Sequence, residues 1–139
     1  MNTPYGEVAP VLLEKGIIVM PLKPKSKMPS VKDWSNLTLE RAKEISEKAC
    51  QHPFNIGCLL GSKSDIIALD FDYDVDGLHD KLKALCPPTP VSKTGAKGVT
   101  MFYRFNGEPA KKWSKGGEMV LELLSDGNQT APNLSLIHI

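Results

Sequence analysis

The segment Ile66-Ile67-Ala68-Leu69-Asp70-Phe71-Asp72 constrains this chain more than any other. Four apolar residues, two of them β-branched, favour a buried strand, and that strand ends in Asp-x-Asp. Side chains two apart on a strand point to the same face, so Asp70 and Asp72 are expected side by side. Two adjacent carboxylates repel each other unless a cation lies between them. Oxygen-only ligation suits Mg²⁺ or Mn²⁺ better than Zn²⁺. The same residues also fit a plain turn from strand into helix, with Asp74 in the turn and Asp76 as the N-cap before Gly77. A third ligand would separate these readings. Met119-Val120-Leu121-Glu122-Leu123-Leu124 is an apolar run interrupted by one carboxylate. Glu122 is therefore either that third ligand or the solvent-facing residue of an edge strand.

A chain of 139 residues suits one domain with a core that needs no disulfide staples. The formal net charge of +1 carries no nucleic-acid signal by itself. Its distribution says more. Lys23, Lys25, Lys27 and Lys32 precede the acidic centre, and Lys93, Lys97, Arg104, Lys111, Lys112 and Lys115 follow it. Basic flanks around carboxylates suit a metal site handling polyphosphate or DNA, and they equally suit a solvated surface. The three cysteines, Cys50, Cys58 and Cys86, have no metal-ligand spacing and read as reduced thiols of a cytoplasmic protein, two of them in the core. No signal peptide or membrane-length apolar run is present.

Glu7 to Lys15 reads as a helix stopped by Gly16, and Ile17 to Leu22 as a strand that Pro21 closes or confines to an edge. Thr38 is the expected N-cap of a helix carrying Leu39, Ala42, Ile45 and Ala49 on one side. Asn55–Leu60 and Ile66–Phe71 read as two strands of an antiparallel hairpin across Gly61–Ser64. Gly77–Leu85 fits a helix facing inward with Leu78, Leu82 and Leu85. Val99–Phe105 and Met119–Leu124 are further strands. The mixture predicts an α+β fold, a mixed or antiparallel sheet with flanking helices.

The motifs in order resemble the N-terminal primase–polymerase domain of the archaeo-eukaryotic primase superfamily, found in phage and plasmid replication proteins. The resemblance rests on Gly16-Ile17-Ile18-Val19-Met20-Pro21-Leu22, on Lys27-Met28-Pro29 and Trp34, and on Asn55-Ile56-Gly57-Cys58-Leu59-Leu60-Gly61. It continues through Leu69-Asp70-Phe71-Asp72, the stretch Lys93 to Arg104, and Leu121-Glu122-Leu123-Leu124 before Gly127-Asn128-Gln129-Thr130. It implies an RNA-recognition-motif-like catalytic core that performs template-directed primer synthesis and DNA polymerisation. Two Mg²⁺ or Mn²⁺ ions, ~3.5–4 Å apart, would be held by Asp70, Asp72 and Glu122. Many relatives carry a histidine where this chain has Thr100. Thr100 is then expected to give one hydrogen bond to the nucleotide, with Lys97 and Arg104 on its phosphates. Lys25 and Lys27 are candidates for template backbone. The implied partners are a single-stranded DNA template, nucleoside triphosphates and a helicase domain or protein. The alternatives are a non-catalytic nucleic-acid-binding module and a phosphohydrolase built on Asp70 and Asp72.

The resemblance spans residues 5–130. Residues 131–139 read as a non-native tail, since Leu134-Ser135-Leu136-Ile137-His138-Ile139 looks like a translated sequencing adaptor. The domain is thus expected to be C-terminally truncated, with Met119–Leu124 left at an open sheet edge, low solubility and weak activity.

Overall fold

The computed structural model describes residues 4–72, 74, 77–87, 89, 92–94 and 99–130. Helix α1 (Pro4–Glu14) and strand β1 (Val19–Leu22) are followed by helix α2 (Leu39–Ala49) and strands β2 (Asn55–Leu59) and β3 (Ile66–Phe71). Then come helix α3 (Leu78–Leu85) and strands β4 (Ser92–Thr94), β5 (Val99–Arg104), β6 (Lys111–Lys115), β7 (Glu118–Leu124) and β8 (Gln129–Thr130). The fold is α+β, with two antiparallel sheets ordered β1-β2-β8 and β4-β5-β3-β7-β6.

The first sheet carries the N-terminal helices. Helix α1 buries Tyr5, Val8, Ala9, Leu12 and Leu13. Thr38 accepts a hydrogen bond from the Arg41 amide (3.2 Å), which satisfies one orphan donor at the start of α2. Pro21 lies in the edge strand β1, where its missing N–H costs no ladder bond. Its carbonyl instead accepts from the Ser30 amide at 3.0 Å. The core runs unbroken from α1, β1 and β2 to Ile66, Ala68, Phe102 and Leu124 of the larger sheet. One end of the β3 face is therefore sealed by the N-terminal half. The other end, with Asp70, is not.

Strands β2 and β3 do not form the expected hairpin. Strand β2 is flanked by β1 and β8, and β3 by β5 and β7, so neither has a free side for the other. Only a single bridge, Gly61 to Ile66, survives of that pairing. Gly61 has φ +97°, and a Cβ there would lie 2.7 Å from Asp126 Cα. The Asp126 carboxylate accepts from the Ser62 amide and hydroxyl, both at 2.8 Å, and these bonds hold it below the ordinary carboxylate pKa. Chain passage between the sheets is thus clamped to the turn after β7.

Three further expectations change. Strand β7 is not an open edge, because β3 pairs with one side and β6 with the other. Leu85 is 82% exposed, because the inward arc of α3 centres on His79 and Leu82 and Leu85 falls about a quarter turn away. Of the cysteines only Cys58 is buried. Asp76 and residues 131–139 lie outside the described residues, so the expected N-cap and tail do too. The residue flanking α3 is Gly77, and the Asp74 carboxylate accepts from the His79 amide at 3.1 Å.

Gly61→Ala should cost about 2–4 kcal/mol, from a disfavoured φ plus contact with backbone that cannot retreat. Urea denaturation would measure it, and a loss below about 0.5 kcal/mol would show that the clamp is not tight. Burial pushes the Tyr5 phenol up to about 12, against a smaller opposing pull from Ser46. A raised phenol pKa favours the neutral form of the folded state. Its contribution should be intact below about pH 10 and lost as pH climbs towards 12. Tyr5→Phe should flatten that part of the alkaline stability profile and remove one late-ionising phenol from an absorbance titration.

Candidate active site

Strand β3 is the middle strand of five, and its register sets up the site. Asp70 lies directly opposite Thr100 of β5 on one side and Glu122 of β7 on the other. Glu122 is in turn opposite Lys112 of β6, and Thr100 is opposite Lys93 of β4. Directly opposed residues share a face, with Cβ atoms roughly 4.5–5.5 Å apart. A single row of side chains therefore runs across four strands in the order Thr100, Asp70, Glu122, Lys112.

Each carboxylate is held by its outer neighbour. The Thr100 hydroxyl donates to Asp70 Oδ1 at 3.0 Å. Lys112 Nζ lies 3.8 Å from Glu122 Oε2. Like charges opposed across strands repel, and these contacts draw the two acids apart. Glu122 retains 23% of its side-chain exposure, so solvent reaches it. Asp72 lies two residues beyond Asp70, and its amide donates to the Val120 carbonyl at 3.0 Å, which prolongs the β3–β7 pairing past the end of the strand. The same carbonyl lies 3.2 Å from His79 Nε2. A carbonyl can only accept, so that imidazole nitrogen carries the proton. His79 also meets the Phe71 ring edge-on at 5.3 Å, which pins α3 to the sheet just past the Asp-x-Asp.

The donors that could hold a cation here are the carboxylates of Asp70, Asp72 and Glu122, all hard oxygen ligands. Among the described residues no group of three or more His, Cys, Asp or Glu side chains stands ready as a metal cage. The donor set still fits a divalent cation. Asp70 and Glu122 oppose each other on neighbouring strands, and both present hard carboxylate oxygens.

The other expected site residues fare differently. Thr100 is buried, and its single hydroxyl proton is committed to Asp70. It orients the carboxylate and has no proton left for a nucleotide phosphate. Arg104 lies four residues along β5 from Thr100, roughly 13 Å away at strand rise. It is paired with Asp65 at 3.0 Å, at the opposite end of β3 from Asp70, and is not part of this site. Lys97 falls outside the described residues. Sequence reasoning missed the placement of Lys112 and His79. Lys112 was within reach, since Gly116-Gly117 between two short runs is a hairpin signal, and both glycines do adopt positive φ (62° and 82°). His79 gave no signal.

No helix among the described residues is long and apolar enough to cross a membrane. No curated protein matches the chain. The family model for the bifunctional DNA primase/polymerase N-terminal domain matches residues 9–133, which covers β3, β5 and β7 and every residue of the row. Primase/polymerase domains act on DNA and nucleotides and are generally metal-dependent. The phosphohydrolase alternative is left with its Asp-x-Asp alone. By that match the chain belongs to the bifunctional DNA primase/polymerase family.

Proposed function

We propose that this domain carries out template-directed nucleotidyl transfer, making primers and extending them, with Asp70, Asp72 and Glu122 holding the divalent cations. The supporting observation is the register that opposes Asp70 and Glu122 on neighbouring strands, with Asp72 two residues on. Divalent cations at these carboxylates, Mg²⁺ or Mn²⁺, would acidify the attacking 3′-hydroxyl and stabilise the departing pyrophosphate. The protein's task is positioning. Thr100 fixes one Asp70 oxygen and leaves the other available. Lys112 neutralises Glu122 until a cation does, and it then has a free ammonium beside the site for the triphosphate. The register sets Lys93 of β4 opposite Thr100, and Lys97 is the residue proposed to meet the nucleotide phosphates. Single-stranded DNA is the template, and a helicase domain or protein is the natural collaborator in replication.

A non-catalytic binding module would need neither the opposed carboxylates nor a threonine bonded to one of them. Asp70→Asn, Asp72→Asn and Glu122→Gln should each lower nucleotide incorporation on a primed single-stranded template by at least about 100-fold. Their melting temperatures without metal should stay at or slightly above that of the parent, because one of two repelling charges has gone. Mn²⁺ should raise the melting temperature of the parent and not of the Asp70 and Glu122 variants. Equal stabilisation of all four proteins would remove the cation site from this row.

A further inference from the structure

All five residues of strand β6 are exposed, three are lysines, and Trp113 stands in the middle. Trp113 is 39% exposed, and Lys111 Nζ lies 5.3 Å from its ring centroid. The register sets Trp113 opposite Leu121, which is opposite Phe71, on the reverse side of the sheet from the carboxylate row. Helix α3 lies against that side. Between helix and strand runs a groove of about 460 Å³ lined by Leu78, Leu82, Trp113, Lys115 and Leu121. Lys83, on the helix, lies 5.5 Å from the Phe71 ring centroid. Strand β6 thus carries cations on both faces, Lys111 beside the groove and Lys112 beside Glu122.

We propose that this groove binds single-stranded DNA, with one base stacked on Trp113 and the adjoining phosphates on Lys111 and Lys115. A flat, half-open indole next to lysines is the combination that holds single strands without reading sequence, because every base has a π-face and every linkage a charge. An apolar peptide would gain nothing from the cations, whereas charge complementarity favours a polyanion with flat apolar units. Trp113 and Lys112 are neighbours on β6, so a strand held on the indole passes the sheet edge one strand from Glu122. The identity of that strand as template or primer rests on the nucleotidyl-transfer reading. Its binding does not.

The test is fluorescence anisotropy of a labelled twelve-residue oligothymidylate with the full chain, without metal or nucleotide, across a salt series. Trp113→Ala should weaken binding by about 5- to 150-fold, the range expected for one lost stack, and Trp113→Phe should recover most of it. Lys111→Gln should lower the salt slope by about 0.7, one phosphate contact on a single strand. Asp70→Asn should leave oligothymidylate affinity within twofold, which separates a failure of the groove from a failure of the cation site. Affinity of Trp113→Ala within twofold of the parent would overturn the proposal. So would loss of self-association in sedimentation with oligothymidylate binding unchanged, which would make the groove a protein interface.

Discussion

Everything at the candidate site depends on the antiparallel register that seats Asp70 between Thr100 and Glu122. Side chains alternate with period two, so a slip of one residue on either side of β3 would send one of these groups to the other face. The register is held from several directions. Ala68 is opposite both Phe102 and Leu124, and all three are buried in the common core. Burying side chains as large as Phe102 and Leu124 stabilises by about 1.5–3 kcal/mol each, and a slipped register would forfeit that. Past the end of the strand, the Val120 carbonyl gathers the Asp72 amide and the His79 ring. The apolar half of β3 is therefore what positions its acidic end.

Two acids in one row carry an electrostatic cost, and the flanking residues offset it. Thr100 gives Asp70 a hydrogen bond from a buried hydroxyl, and Lys112 gives Glu122 a nearby ammonium. Lys112 is 66% exposed in its side chain, so this ion pair contributes little to stability. Its value lies in being easily exchanged. A divalent cation at the carboxylates would replace Lys112 at small cost, whereas Thr100 is fixed by burial. One side of the row is rigid and the other adjustable, which suits the nucleotidyl transfer proposed for it.

Much of this was legible in the sequence where apolar pattern and chemistry coincide. Ile66 to Asp72 declared a strand with an acidic end, and Met119–Leu124 declared a strand interrupted by one carboxylate. What the sequence could not declare is partner choice. Strands β2 and β3, joined by a short turn, have the local pattern of a hairpin, yet each finds both of its neighbours far along the chain. Strand β6 has no apolar alternation at all, because as an exposed edge it buries neither face. Leu85 follows the helical spacing but lies off the buried arc, and His79 is buried where a leucine would be expected. Arg104 shows the same limit. It shares a strand with Thr100, but strand length carries it roughly 13 Å from the carboxylates, to the company of Asp65.

A cation site formed by Asp70 and Glu122 would lie in the middle of the larger sheet. Paramagnetic broadening of backbone amide signals by substoichiometric Mn²⁺ tests it most directly, because the effect falls steeply with distance from the ion. The amides of Asp70, Asp72, Thr100 and Glu122 should broaden first and together, while those of Asp65, Arg104 and Asp126 remain sharp. Broadening centred on Asp65 or Asp126, or spread evenly over the surface acids, would contradict that placement.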